Sequence, residues 1–185
     1  FYNVDGIVCG SHNLVDEGYF DSGTMFDWFR KKARKNGAEY LKNEVVGIGR
    51  DRDRLTSVTL ASGETVACGT VVNAAGPRAS LIADMVGVEL KIEPRKRYTF
   101  VFDCAEDLGR DVPLTIDPSG VHVRSDGDAY MAGCTPDIDP AVAYDDYEID
   151  QDIFEDKVWP ALVNRIPAFE RIKIQTQWAG HYAHN

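Results

Sequence analysis

The feature that most constrains this chain is the run Gly63-Glu64-Thr65-Val66-Ala67-Cys68-Gly69-Thr70-Val71-Val72-Asn73-Ala74-Ala75-Gly76. It reads as a turn, a short strand, a second turn and then a β-branched apolar run, Thr70 to Asn73, suited to a strand covered on both faces. The run stops at Ala74, Ala75 and Gly76, where side-chain bulk disappears. A stop of this kind at the carboxyl end of an α/β sheet lets a ligand approach the backbone closely. Pro77 keeps Gly76 out of the right-handed α region and opens the helix that follows. The same residues also suit a tight strand-to-helix turn that holds no ligand.

At 185 residues the chain can bury a real core and falls between one large domain and two small ones. Its net charge of -10 argues against nucleic acid as a partner, because phosphates require a basic face. No apolar run approaches the roughly 20 residues of a membrane helix. Cys9, Cys68, Cys104 and Cys134 are widely separated and form no CxxC pair. They read as reduced thiols in a cytoplasmic protein without a metal site. The chain opens on Phe1-Tyr2-Asn3 without a methionine and stops at His184-Asn185 without a closing element, which reads as a fragment.

Along the chain, Asp21 to Thr24 offer capping residues, and Met25, Trp28, Phe29 and Ala33 recur at helical spacing before Gly37. Ala38 to Leu41 and Glu44 to Ile48 are strand-like, and Arg50 to Arg54 form a charged turn into the strand Leu55 to Leu60. Ala79 to Val86 fits a short helix ended by Gly87. Hairpins then replace the helix-strand alternation: Tyr98 to Phe102, Leu114 to Ile116, and Val121 to Arg124 pairing with Tyr130 to Gly133 around Ser125-Asp126-Gly127. Asp150 caps a helix over Ile153, Phe154, Val158, Leu162 and Ile166, which Pro160 should bend and Pro167 should end. Ile172 to Gly180 is a final strand. Gly47-Ile48-Gly49 fails as a dinucleotide fingerprint, because position 52 is arginine and no helical pattern follows.

Three segments carry a resemblance. Gly63 to Gly76 resembles the "G-x-x-x-x-A-x-x-V-V-N-A-A-G" segment of flavoproteins in the D-amino-acid oxidase, glycine oxidase and sarcosine oxidase family. Glu17-Gly18-Tyr19-Phe20-Asp21 resembles the "E-G-x-x-D" before a helix in that family, and Gln177-Trp178-Ala179-Gly180-His181-Tyr182 resembles its "W-A-G-x-R" or "W-A-G-x-Y". The tyrosine version looks more like the FAD-dependent oxidoreductase-domain branch. The resemblance implies a mixed α/β and α+β fold: part of an FAD-binding, glutathione-reductase-like layer plus an antiparallel-sheet substrate-binding domain with flanking helices. The expected division is 1–88 for the partial FAD domain and 89–177 for the substrate domain, including a helix near 151–166. Residues 178–185 should return toward the FAD domain. The family's "G-x-G-x-x-G" is absent, so the fragment is expected to be inactive alone.

The resemblance implies FAD as cofactor and a small amine or amino-acid substrate, with the difficult electronics carried by the flavin. Val45 and Val46 match the strand whose backbone meets the adenine, although plain sheet core accounts for them equally. Ala74, Ala75 and Gly76 match the segment beside the ADP portion, and Trp178 and Gly180 match the segment leading to the flavin. For substrate, His122 and Arg124 alternate with Val121 and Val123 and so share a face. Arg97 stands where relatives often carry the glycine of "P-x-x-G-Q". Tyr182 replaces the arginine that amino-acid oxidases tend to place there to grip a carboxylate, and a phenol offers one neutral hydrogen bond instead. Such a protein would oxidise a CH–NH bond by hydride transfer to FAD. The competing readings are a flavin-free binding or regulatory module of the same fold, and a flavoenzyme acting on the hydroxyl of a 2-hydroxy acid or glycerol phosphate. No catalytic residue, metal or oligomeric state is assigned.

Overall fold

The computed structural model describes residues 2–16 and 18–185, so Glu17 of the "E-G-x-x-D" segment lies outside the described residues. Two compact units emerge, one of residues Gly6–Val71, the other joining the N-terminal residues up to Asp5 with Val72–Asn185.

In the smaller unit, α1 spans Ser22–Lys35. The Asp21 carboxylate caps it, accepting from the Thr24 N–H at 2.6 Å, and Lys32, Arg34 and Lys35 complement the negative end of the helix dipole in its last turn. Its apolar stripe forms as expected, yet Trp28 and Phe29 stay exposed and no α1 residue is buried. Part of the basic face is occupied, because the Arg30 and Arg34 guanidinium groups lie over the Tyr40 ring. Strands β1 (Val45–Asp51), β2 (Arg54–Leu60) and β3 (Thr65–Ala67) form an antiparallel meander. Gly49 faces Ser57 across β1 and β2, where an added Cβ would fall 2.3 Å from the serine Oγ. The crowding there falls on the Ser57 hydroxyl, the movable end of its side chain.

Two expected strands do not form. Ala38 to Leu41 is irregular, and so is Thr70 to Asn73, where Val72 is 84% exposed. A β-branched run becomes a strand only when a neighbour satisfies its backbone groups, and none pairs with either segment among the described residues. The second segment is shaped instead by Asn73, whose Nδ2 donates to the Ala79 carbonyl at 2.8 Å while its Oδ1 accepts from the Ala75 N–H at 3.3 Å. Gly76 then takes φ +56°, followed by a 3₁₀ turn, Gly76–Arg78, and helix α2, Ala79–Asp84.

The larger unit is built on a five-stranded antiparallel sheet in the order β5-β6-β7-β4-β8: Thr115–Ile116, His122–Asp126, Ala129–Cys134, Glu93–Cys104 and Ile172–His184. The hairpin between β6 and β7 turns at Gly127 and Asp128, with Gly127 at φ 62°, one step later than the sequence pattern places it. Tyr98, Phe100 and Phe102 of β4, Val121 just before β6 with Val123 of that strand, and Ala132 and Cys134 of β7 face one side. Phe154, Val158, Leu162, Ile166 and Phe169 cover them. The covering helix opens with a π-helical turn, Phe154–Val158, and continues as α3, Trp159–Arg165. The widened turn spares the chain the clash that Pro160 would create in an α-helix, and Asp150 accepts from the Asp152 N–H as expected of a cap.

All four cysteines are free thiols, and among the described residues no helix is long and apolar enough to cross a membrane. Phe102 anchors the core: it is fully buried, stacks on Tyr130 at 5.8 Å and meets Phe169 edge-on at 5.2 Å. Phe102→Ala should cost about 3–5 kcal/mol, read as a lowered urea midpoint with unchanged slope if the unit unfolds in one step.

Candidate functional site

The second face of the five-stranded sheet is where the polar residues gather. In the ladder His122 stands opposite Gly133, Gly133 opposite Thr99, and Thr99 opposite Trp178. One row further, Arg124, Met131, Val101 and Thr176 align. In the other direction Arg97 lies opposite Gly180 and Arg95 opposite Tyr182. Residues directly opposite, and those two apart along a strand, share a face. The six positions His122, Arg124, Arg97, Trp178, Gly180 and Tyr182 therefore lie on one side of the sheet, away from the core. Trp178 is 43% and Tyr182 64% exposed.

Each side chain is held differently. Arg97 donates from both terminal nitrogens to Asp139, at 2.8 Å each, and from Nη1 to the Lys96 carbonyl at 2.6 Å. Its guanidinium also lies 5.3 Å from the Tyr182 ring centre. The hydrogen-bonded Arg97 guanidinium holds the Asp139 carboxyl below the usual carboxylate range. Arg124 donates to the Ser125 carbonyl, the Asp126 carboxylate and the Met131 sulfur. Burial pushes His122 below its ordinary value of 6.5, so its imidazole is neutral near pH 7, with one ring nitrogen to donate and the other to accept a hydrogen bond.

Two contributors carried no signal in the sequence. Gly133 leaves room for His122: a Cβ there would fall 2.4 Å from the Tyr98 carbonyl and 3.0 Å from His122 Nε2. Asp139 sits in an irregular loop and meets Arg97 across 42 positions of sequence.

The expected cofactor residues divide between the units. Val45 and Val46 belong to β1 of the smaller unit, and Val46 is 52% exposed. Ala74, Ala75 and Gly76 belong to the larger unit, where the 3₁₀ turn beginning at Gly76 packs against β4 and β8. The small-residue stop and the strand carrying Trp178 and Gly180 are thus neighbours. Among the described residues no cluster of His, Cys, Asp and Glu is arranged to hold a metal.

Residues 3–185 match the family described as FAD dependent oxidoreductase (DAO), and the chain belongs to that family. It is 35% identical to the FAD-dependent oxidoreductase domain-containing protein 1 of Xenopus laevis, over 99% of this chain and 43% of that protein. Against the Bos taurus protein of the same name it is 32% identical, over 99% and 44%. The chain therefore spans less than half the length of these relatives. Among solved structures it is similar to L-proline dehydrogenase from P. horikoshii, at 26% identity and a TM-score of 0.76, covering 87% of this chain and 43% of that one. Glycine oxidase from Bacillus cereus shares the fold at 17% identity and a TM-score of 0.69, covering 85% and 42%.

The family's cofactor pairs a planar ring system with an anionic diphosphate, and the described residues meet its two halves unequally. This sheet face, with exposed Trp178 and no side chain at Gly180, fits a planar aromatic group. The diphosphate finds less. The longest helix, α1, begins on the Asp21 carboxylate, which occupies the Thr24 N–H and repels anions.

Adding a methyl at Gly133 should force the strand away from Tyr98 and displace His122, costing about 1–3 kcal/mol in Gly133→Ala by urea unfolding. The depressed His122 value has its own signature. The unfolded chain takes up this proton more readily than the folded one, so stability should fall as pH drops through 6.5 and be recovered above it. His122→Gln should flatten that part of the stability profile; an unchanged slope would mean that other groups carry it.

Proposed function

We propose that this chain is part of an FAD-dependent oxidoreductase that oxidises the CH–NH bond of an amino acid or N-methylated amine, and that the polar face of the five-stranded sheet is a wall of its substrate site. One observation carries the reading: Arg97, His122, Arg124, Trp178 and Tyr182 share one side of a sheet whose other side is sealed by core. The names of two similar structures, a proline dehydrogenase and a glycine oxidase, refer to substrates in which a carboxylate stands beside the nitrogen-bearing carbon. A face offering guanidinium groups, a neutral imidazole and aromatic rings suits that chemistry.

Bound flavin supplies the hydride acceptor. The chain's own side chains bind and orient. Arg97 provides positive charge for a carboxylate, Trp178 shields the reacting carbon from water, and neutral His122 accepts one hydrogen bond from the substrate nitrogen. In this reading residues 1–88 contribute to the FAD portion and 89–177 form the substrate portion. Residues 178–185 lead back toward the cofactor. Activity belongs to the whole protein, and the four free thiols favour a cytoplasmic, reducing setting.

The test uses the full-length protein purified with its flavin, mixed anaerobically with glycine, proline, sarcosine, a 2-hydroxy acid and glycerol phosphate. Bleaching of the flavin absorbance by one or more of the amines, with none from the hydroxyl compounds, is the expected result. Bleaching by the hydroxyl compounds alone would transfer the reading to hydroxyl oxidation. A full-length protein that binds no flavin would leave only the binding module.

A further inference from the structure

The loop between β7 and the covering helix is tied down by three acidic side chains. Asp137 pairs with Lys157, Asp139 with Arg97 at 2.8 Å, and Asp146 with Lys96 at 3.0 Å. Lys157 stands on the helix that covers the core, and Lys96 alternates with Arg97 and so points to the core side of the sheet. Asp139 alone of the three meets a residue of the polar face.

The geometry of that pair leaves something over. A guanidinium has five N–H donors on two usable edges. The outer edge of Arg97, formed by Nη1 and Nη2, is taken by Asp139, and the second Nη1 hydrogen goes to the Lys96 carbonyl. The inner edge, Nε with the remaining Nη2 hydrogen, retains the fork geometry that matches a carboxylate. The Tyr182 ring against one side of the guanidinium fixes its plane from a second direction. Neither other arginine of this face is so disposed. Arg124 spends both terminal nitrogens on Ser125, Asp126 and Met131. Arg95 pairs with Glu93, and its Nε is buried without a hydrogen-bond partner.

We propose that Asp139 is a positioning residue that holds Arg97 with its Nε–Nη2 edge toward the polar face of the sheet, so that Arg97 grips the carboxylate of the substrate in place of the charge that Tyr182 lacks. The proposal rests on the substrate face assigned under Proposed function and names the chemical class that face selects: small acids, over their neutral amides. Removing the Asp139 charge loosens the guanidinium without removing it, so the effect belongs in substrate affinity and not in the chemical step.

The experiment compares an amino acid with its carboxamide as substrates of the full-length holoenzyme; if a 2-hydroxy acid is what reduces the flavin, that acid and its amide are used. Asp139→Asn should raise KM for the acid about tenfold, with kcat within about twofold, and leave KM for the amide unchanged. In the Arg97→Met background the same substitution should add nothing, since Asp139 acts through Arg97. Asp137→Asn, in the same loop, should leave the acid-to-amide ratio alone. Equal changes for acid and amide, or a comparable change in Asp137→Asn, would reduce Asp139 to a loop anchor and overturn the proposal. Should Asp139→Asn not fold, Arg97→Lys decides: it keeps the charge and loses the fork, and an unchanged KM for the acid overturns the proposal equally. A wild-type protein whose flavin is reduced by no acid of either kind refutes the reading under Proposed function instead.

Discussion

The pairing of β4 on both of its edges is the constraint on which the larger unit depends. All of Glu93–Cys104 pairs with β8 on one side and its stretch Tyr98 to Phe102 with β7 on the other, and strict alternation sends Tyr98, Phe100 and Phe102 into the core while Arg95, Arg97 and Thr99 go to the opposite face. A slip of one residue would invert this arrangement, placing arginines against Phe154 and Phe169 and phenylalanines in water. The aromatic contacts that make such a slip costly, Phe100 with Phe154 and Phe102 with Phe169, also fix which side chains the other face can present. The core thus orders the opposite face without touching it.

Much of this arrangement is legible in the amino-acid sequence. Alternation in Val121 to Arg124 places His122 and Arg124 on one face, and the ladder agrees. The capping of α1 by Asp21 and the start of the covering helix near Asp150 also follow from local chemistry. What local sequence does not hold is the identity of a partner. Thr70 to Asn73 has the composition of a strand and does not become one here, because strand formation depends on a neighbour as much as on the run itself. Asp139 lies in Pro136-Asp137-Ile138-Asp139-Pro140, a segment without periodicity, and nothing near it in sequence announces Arg97. Gly133 looks like an ordinary strand glycine until the Tyr98 carbonyl and the His122 ring are seen beside it.

The two groups of residues proposed for substrate and for cofactor also differ in how they are read. The residues proposed for the substrate are a pattern of side chains on a sheet, so sequence alternation exposes them. The segment Ala74, Ala75 and Gly76, proposed for the cofactor, is marked by small or absent side chains, and its shape comes from one asparagine bridging to Ala75 and Ala79. Backbone exposure at such a stop is a property of conformation. Only the positive φ of Gly76 marks it directly.

The π-helical turn ahead of Pro160 has a consequence for how this helix varies among relatives. Its wider ring holds one more residue than an α turn, so Ile153 and Phe154 are set in phase with Leu162 only because that residue is present. A relative without the proline has no need of the extra residue. Dropping it while keeping the same apolar face would appear as a single gap between positions 154 and 158, and dropping it without other change would rotate everything before the turn by about 100°. The helix therefore records its proline as a length, one residue that the packing of both ends has come to require.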